Sequence, residues 1–544
     1  MAEMNFSKLH ALIVDDFDSF RMTVGKMLQE MGFVHIDSAV NSSEALRLCR
    51  TNAYDLILCD HNLGKGKSGQ QVLEDLRHFD MPSSDALFVL ISAESSKSII
   101  MAAYDYEPDA YLTKPITNKI LEQRLERLLL QRAKLAPVSR AIKAKRFDEA
   151  LALCHREIAS GGRYANHCQK LLGQLYLQLG DYPKAEKVYR EVLEARPLDW
   201  AQLGMARVKK MQGDFIGAQQ WLEEALATNP LFMKAYDLQA EIFREQQAKD
   251  KLQQTLARAV DISPLSILRQ QQLGHVAYEN NDLHTAANAY KRTVKLGEYS
   301  CFDSLSSHLG FARATLALVR EDKAAAQPLL RDLIKVMGAI EQRFGKTPEQ
   351  KLENDLLEVQ LLSALGEHKK AEELLSATQS SAAEAGEQVP LEVQIEMVRA
   401  LRAAGHKDEA ASLLKRLLEE NKGHEASLEQ LDELLEEPAS EKNRARVAAV
   451  NKKGIAFYDA GQYVDAIECF NNAAQAFPNH VGIRLNLVQA LIEKVKQDRL
   501  SRDYEAAQTI LTRIENMIDS SHEQFRRYRQ LQEMLLASDP EKRR

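Results

Sequence analysis

No apolar run in this sequence approaches the roughly 20 residues that a membrane-spanning helix needs. The first strongly apolar stretch, His10–Val14, is also too short for the core of a signal peptide with its cleavage site. A cytoplasmic protein without membrane contact is expected. Cysteine is scarce: Cys49, Cys59, Cys154, Cys168, Cys301 and Cys469 lie far apart and form no CxxC pair. That excludes a disulfide framework and a zinc site of the usual spacing, and leaves reduced thiols. There are only 14 prolines and 24 glycines in 544 residues, which suits a mostly helical chain. Positive charge is not in excess either. The net charge of −7 gives no overall surface for nucleic acid. Among 14 histidines there is no HExxH, and no G-x-S-x-G elbow occurs. The length itself exceeds one ordinary core, so several domains are expected.

What is present divides into two textures. In residues 1–125 short apolar runs alternate with amphipathic segments. The runs Ala11–Val14, His35–Ala39, Asp55–Cys59, Ala86–Ile91 and Asp109–Leu112 read as strands. Between them Phe20, Val24, Met27, Leu28 and Met31 show the helical period. Such alternation predicts a doubly wound α/β domain with a parallel sheet covered on both faces. Asp15 and Asp16 then sit just past the first strand and Asp60 past the third. Ser92 closes the fourth strand, and Lys114-Pro115 follows the fifth. All are placed at the carboxyl edge of one sheet, where such folds put their sites. A long fifth helix, expected from about Asn118 to Leu135 and ended by Pro137, serves as a linker over residues 118–138.

Beyond it no strand pattern occurs. Gly173, Ala206, Ala240 and Gly274 recur at intervals of 33 or 34 residues, as do Pro197, Pro230 and Pro264, and Ala185, Ala218, Leu252 and Ala286. Three registers with one period mean stacked helix pairs, an all-α superhelix. Small residues are expected where the two helices of a repeat approach, with Tyr176, Tyr189 and Tyr290 filling the space beside them and proline ending the second helix. Residues 139–300 form the clear array. The marks thin out over 301–440, with longer helices at Glu321–Phe344 and Glu349–Leu365, although Gly366/Ala371 and Gly405/Ala410 keep the dyad. The polar stretch Glu436–Asn443 reads as a break. Residues 441–544 hold the cleanest copy (Gly454, Phe457, Gly461, Tyr463, Ala466, Phe470, Ala473, Pro478), an insertion around Lys496–Arg502 and capping helices.

Three carboxylates at one sheet edge repel one another unless a cation joins them, and hard oxygen ligands suit Mg²⁺. A carboxylate beside such an ion is a nucleophile toward phosphorus. The five-strand pattern with these residues resembles the CheY-like, flavodoxin-fold (βα)5 receiver domain of bacterial response regulators, over about a quarter of the chain. That resemblance implies Asp60 as phosphoacceptor. It implies metal binding by Asp16, Asp60 and the backbone carbonyl of Asn62, with Asp15 acting through water. It also implies Ser92 as the switch hydroxyl, Tyr111 as the switch aromatic, Lys114 as the phosphate contact and a cis Lys114–Pro115 bond. Gly66-Lys67-Ser68 follows a strand and precedes a helix, but His61 stands where a phosphate loop needs glycine, so no nucleotide site is expected there. His61 itself reads as a loop residue beside the acceptor.

The helical region resembles the tetratricopeptide repeat family over most of residues 140–515, which implies protein binding. The carboxylate-clamp pattern is not met, because Asn451 and Ile455 occupy its positions and only Asn486 fits. Together the two resemblances imply a two-component response regulator. A sensor histidine kinase would phosphorylate Asp60, and the repeats would bind an unidentified protein partner under its control. One known receiver–tetratricopeptide protein acts on a cyclic-di-GMP phosphodiesterase, which suggests such an enzyme as the partner. No transcriptional or enzymatic output motif is present, so the only catalysis expected is the receiver's own phosphoryl transfer and dephosphorylation. A constitutive scaffold and a phosphate sink are the alternatives, and an enzyme site within 300–445 has no acid, base or nucleophile constellation to support it.

Overall fold

Five parallel strands carry the N-terminal domain: β1 (His10–Val14), β2 (His35–Ala39), β3 (Leu56–Asp60), β4 (Leu87–Ser92) and β5 (Ala110–Thr113), in the order β2-β1-β3-β4-β5. The computed structural model describes residues 6–538 apart from 95, 97, 98, 102–104, 345, 346, 386–388, 499, 500 and 516. Every residue of β3 and β4 is buried, because helices cover both faces of a parallel sheet. On one face Leu12, Ile57, Cys59, Phe88 and Leu90 pack against α2 (Ser42–Thr51) and α3 (Gly69–His78). On the other, Ile13, Leu58 and Val89 meet Val24 and Leu28 of α1 (Asp18–Glu30). The alternation of side chains along each strand sorts them between these two cores. The fourth receiver helix expected between β4 and β5 falls partly on residues outside those described, as do parts of the insertion around Lys496–Arg502 and the last residues, 539–544, of the C-terminal region.

The linker helix differs from expectation. It runs unbroken over Asn118–Lys143 with Pro137 inside it. Proline deprives the carbonyl four residues earlier of its partner and favours a helix end. Burial outweighs that cost here. Leu121, Leu125 and Leu129 belong to the receiver core, and Leu135, Val138 and Ala141 to the core of the first repeats. One rigid element is thus shared by two hydrophobic cores. Arg132 also donates to the carbonyl of Asp55 at 2.9 Å.

The repeats follow as antiparallel pairs, among them Ala165–Gln178 with Tyr182–Ala195, Asp199–Met211 with Phe215–Thr228, and Met233–Glu245 with Lys249–Ile262. The second helix of each pair stops just before Pro197, Pro230 or Pro264, as the spacing predicts. The small residues are sterically required. A Cβ on Gly173 would stand 2.5 Å from the Tyr189 ring and one on Gly204 2.4 Å from it, while Gly454 meets Phe470 at 2.5 Å. Gly180, Gly213, Gln247 and Asn281 occupy the same left-handed turn in successive repeats, although only the first two are glycine.

The chain forms two compact units: residues 1–277 with 284–311, and residues 278–283 with 312–544. The stretch Glu436–Asn443 lies inside the second unit. Buried Asp432 ties it down by accepting from Ser440 N, Ser440 Oγ and Asn443 Nδ2. None of the six cysteines forms a disulfide. Among the described residues no helix is long and apolar enough to cross a membrane.

Candidate functional site

The sheet order places β1 beside β3, and the crevice at their carboxyl ends is the point where the strand order reverses. Asp60 closes β3 in register with Ile91, so it is held by the sheet rather than by the following loop. Asp15 follows β1, and its N–H donates to Ala39 O at 3.2 Å. Asp15 and Asp60 are buried and Asp16 is exposed, and ligand atoms of all three carboxylates lie within 4.8 Å of one another. Gly69 begins α3 directly against this strand end. A Cβ there would stand 2.0 Å from the Asp60 carbonyl oxygen, so no other residue fits without displacing the strand.

Lys114 reaches across from β5. Its Nζ lies 2.8 Å from Asp15 Oδ2 and 3.2 Å from Asp60 Oδ1, and 4.1 Å from the centroid of the Phe20 ring. The Lys114–Pro115 bond is cis, as expected. Burial pushes the Asp60 carboxyl above its usual range. Lys114 opposes that shift and Asp15 adds to it. Burial also acts against the Lys114 ammonium, but its hydrogen bonds and charge interactions with Asp15 and Asp60 outweigh it and hold its pKa up.

Ser92 is buried at the end of β4, and its Oγ accepts from Glu94 N at 3.0 Å. The Glu94 carbonyl in turn accepts from Tyr111 Oη at 2.8 Å. The hydroxyl and the aromatic expected to act together are therefore linked through one backbone residue. Asn62 lies in the loop after β3, where its Oδ1 accepts from Gly64 N at 3.2 Å. Gly64 adopts φ +74° and lies against Asp16, a Cβ there standing 3.7 Å from Oδ2. The loop carrying the Asn62 carbonyl thus lies against Asp16. Three hard oxygen donors with one ammonium between them leave surplus negative charge, and that donor set fits a divalent cation such as Mg²⁺.

The other residues singled out in the sequence have structural work. Lys67 pairs with Asp75 at 2.9 Å, and Ser68 caps α3 in a capping box with Gln71. His61 bonds through its backbone to Ile91 and Gly69, and burial lowers its imidazole pKa. Asn486 donates to Asn451 at 2.6 Å and accepts from Arg527, which occupies the clamp position internally.

Sequence reasoning missed a set of contacts between the receiver and the repeats. Asp105 accepts from Arg269 at 2.7 Å, and the same guanidinium grips Asp237 through two bonds of 2.8 Å. Glu74 of α3 accepts from Ser300 Oγ and from Cys301 N. Lys67 and Gln71 donate to the carbonyls of Tyr299 and Glu298. The ring of Phe302 packs against His78 and Tyr106. Partners up to 232 positions apart leave no trace in local patterning.

Comparison with known proteins accords with this geometry. Residues 11–126 match the response regulator receiver domain, and residues 138–200 and 451–512 match the tetratricopeptide repeat. The chemotaxis protein CheY of Pseudomonas aeruginosa is 26% identical over 117 residues, which cover 22% of this chain and 93% of that protein. CheY-3 of Vibrio cholerae is 28% identical over the same length, covering 22% and 88%. Among solved structures, response regulator TrrA of Thermotoga maritima in complex with Mg²⁺-BeF is 28% identical with a TM-score of 0.20, covering 22% of this chain and 98% of that one. The BeF3-activated DrrB receiver domain is 21% identical with the same score, covering 22% and 97%. The N-terminal domain is a CheY-like receiver of the two-component response regulator type, followed by tetratricopeptide repeats.

Proposed function

We propose that Asp60 takes a phosphoryl group from a sensor histidine kinase and that this controls protein binding by the repeats. A carboxylate oxygen of Asp60 attacks the phosphorus of a phosphohistidine. The P–N bond breaks, an aspartyl phosphate forms, and the imidazole leaves with a proton. Asp16, Asp60 and the Asn62 carbonyl would hold a Mg²⁺ ion, with Asp15 acting through water, and the bound ion would supply charge neutralisation to the transferred group. Lys114 exchanges its bond to Asp60 for one to a phosphoryl oxygen. Ser92 Oγ gives up the Glu94 amide to bond a second oxygen, which frees the Glu94 carbonyl and with it Tyr111.

The observation that carries the control is the position of Asp105. The segment that begins at Ser92 and Glu94 ends at Asp105, Tyr106 and Glu107, and these three reach the repeats through Arg269, Phe302 and Lys234. A rearrangement at Ser92 and Tyr111 therefore acts on the same stretch that holds the receiver against Arg269. The linker helix supplies a second mechanical connection.

Treatment with a small phosphodonor followed by intact mass tests the input: wild type gains one phosphoryl group and Asp60→Ala gains none. Capture of partners from native lysate, with beryllofluoride-treated protein beside Asp60→Ala, tests the output. A partner held equally by both forms would leave the repeats a constitutive scaffold. A phenotype that survives deletion of residues 140–544 would make the protein a phosphate sink.

A further inference from the structure

The chain is acidic overall, yet one cleft of about 530 Å³ in the first compact unit is lined by cations. Arg127 comes from the linker helix, Arg163 from the turn before the helix Ala165–Gln178, and Lys170 from that helix. Tyr164 and Trp200 add two aromatic faces. Among the described residues none of Arg127, Arg163 and Lys170 has a carboxylate at ion-pair distance, whereas neighbouring Lys134 and Lys234 pair with Glu157 and Glu107. Surplus positive charge beside aromatic rings is the complement of an anion that also carries apolar surface.

Two observations add to this. Burial pushes the Lys170 ammonium below its usual pKa, and the nearby Lys234 adds to that shift while Glu107 and Asp199 oppose it. An incoming anion relieves that repulsion. The lining also crosses from one repeat to the next. His167 and Trp200, which both line the cleft, are 33 residues apart, the repeat period, so they occupy equivalent places on two successive repeats. A lining that crosses repeats, with Arg127, Arg163 and Lys170 along it, suits an elongated ligand with several charges better than a compact one.

We propose that this cleft binds an acidic peptide segment of a partner protein, with its carboxylates on Arg127, Arg163 and Lys170 and one apolar or aromatic side chain between Tyr164 and Trp200. This rests on the reading that the repeats are the output surface, and it names the chemistry of the partner. Arg127 gives the cleft a place in the switch. It stands on the helix shared by the two cores, so the site is complete only when the receiver and the first repeats keep their arrangement. Gln131 of the same helix, bonded to His167 at 3.3 Å, ties that wall to the repeat.

The test uses the full-length protein and fluorescence anisotropy with short labelled peptides that vary in carboxylate number and in the presence of one phenylalanine. Affinity should rise with carboxylates and with the phenylalanine and fall with added salt. Arg127→Glu and Arg163→Glu, both on exposed side chains, should each weaken binding about tenfold while the unfolding temperature stays put. Trp200→Phe should reduce only the benefit of the phenylalanine. Equal affinity for the wild type and both Glu variants would overturn the proposal. So would equal affinity for acidic and lysine-rich peptides, or no binding. Inorganic triphosphate or ATP binding as tightly as the peptide would overturn it in favour of a small-anion site. Repeating the titration with beryllofluoride and with Asp60→Ala separates the two readings. Equal binding in both states that Arg163→Glu still weakens would sink the switch and leave the cleft standing.

Discussion

The receiver and the second compact unit both bury carboxylates, and they balance the charge differently. At the sheet edge Asp15, Asp16 and Asp60 face a single ammonium, Lys114. In the second unit buried Glu396 lies 2.7 Å from Arg399 and 3.4 Å from Arg313, which also holds Glu353. Arg399 reaches Glu433 at 2.7 Å, and Gln360 links Glu396 to Arg320. There three carboxylates meet three guanidiniums. Burial works against the Glu396 carboxylate, yet these cations hold its pKa below the usual range. At Asp60 the single lysine does not overcome burial and Asp15, and the shift is upward. A charge surplus in a crevice marks a place for something that arrives. A balanced cluster in a core marks structure. This distinction sorts the buried charges where residue type alone does not.

The largest effect that could break this comparison is at Glu396. Glu396→Ala leaves Arg399, Arg313 and Arg320 without their shared partner, and loss of one member of a buried pair costs about 3–5 kcal/mol. Chemical denaturation should show the second unit unfolding at lower denaturant while phosphoryl uptake at Asp60 is unchanged. The double variant Glu396→Leu with Arg399→Leu should recover part of the loss. A single variant as stable as wild type would show that the cluster is not structural.

The receiver was legible in the sequence because its information is local. Strand ends fix Asp15, Asp60 and Ser92, and apolar alternation fixes the strands to within one residue or so. The repeat was legible because Gly173 and Gly454 must be small where Tyr189 and Phe470 cross. Pro137 misled, since a proline says what the backbone loses and nothing of the two cores that Leu129 and Leu135 join. The docking of Asp105 on Arg269 was invisible, because 164 positions separate two ordinary charged residues. The basic cleft was equally hidden. Arg127, Arg163 and Lys170 read as solvated faces until the helices bring them together.

A smaller effect sharpens the other side of the comparison. If the carboxylate surplus is what fits a cation, Mg²⁺ should raise the unfolding temperature of the wild type. Binding at a hundred times the dissociation constant corresponds to about 2.7 kcal/mol. Asp16→Asn should lose that Mg²⁺ response. Without Mg²⁺ it should be at least as stable as wild type, because one repelling carboxylate is gone. The opposite signs at Asp16 and Glu396 are the point: removing a carboxylate helps where charge is in surplus and harms where it is balanced. An Asp16→Asn variant with an unchanged Mg²⁺ shift would break the assignment.

The smallest effect belongs to a balanced pair at the surface. His406 Nε2 lies 2.9 Å from Glu372 Oε2 in the second unit, and that bond raises the imidazole pKa above its ordinary 6.5. A histidine raised on folding binds its proton more tightly in the folded state. Its contribution is therefore complete below about pH 6.5 and disappears as pH climbs through the raised value. The Glu372 side chain is 55% exposed, so water and salt screen most of the attraction, and exposed pairs contribute little. The difference in unfolding temperature between wild type and Glu372→Gln should be small and positive at low pH, vanish above the raised pKa, and shrink with salt. A difference that instead persisted at high pH would mean that Glu372 acts through packing, and that charge balance says nothing about this pair.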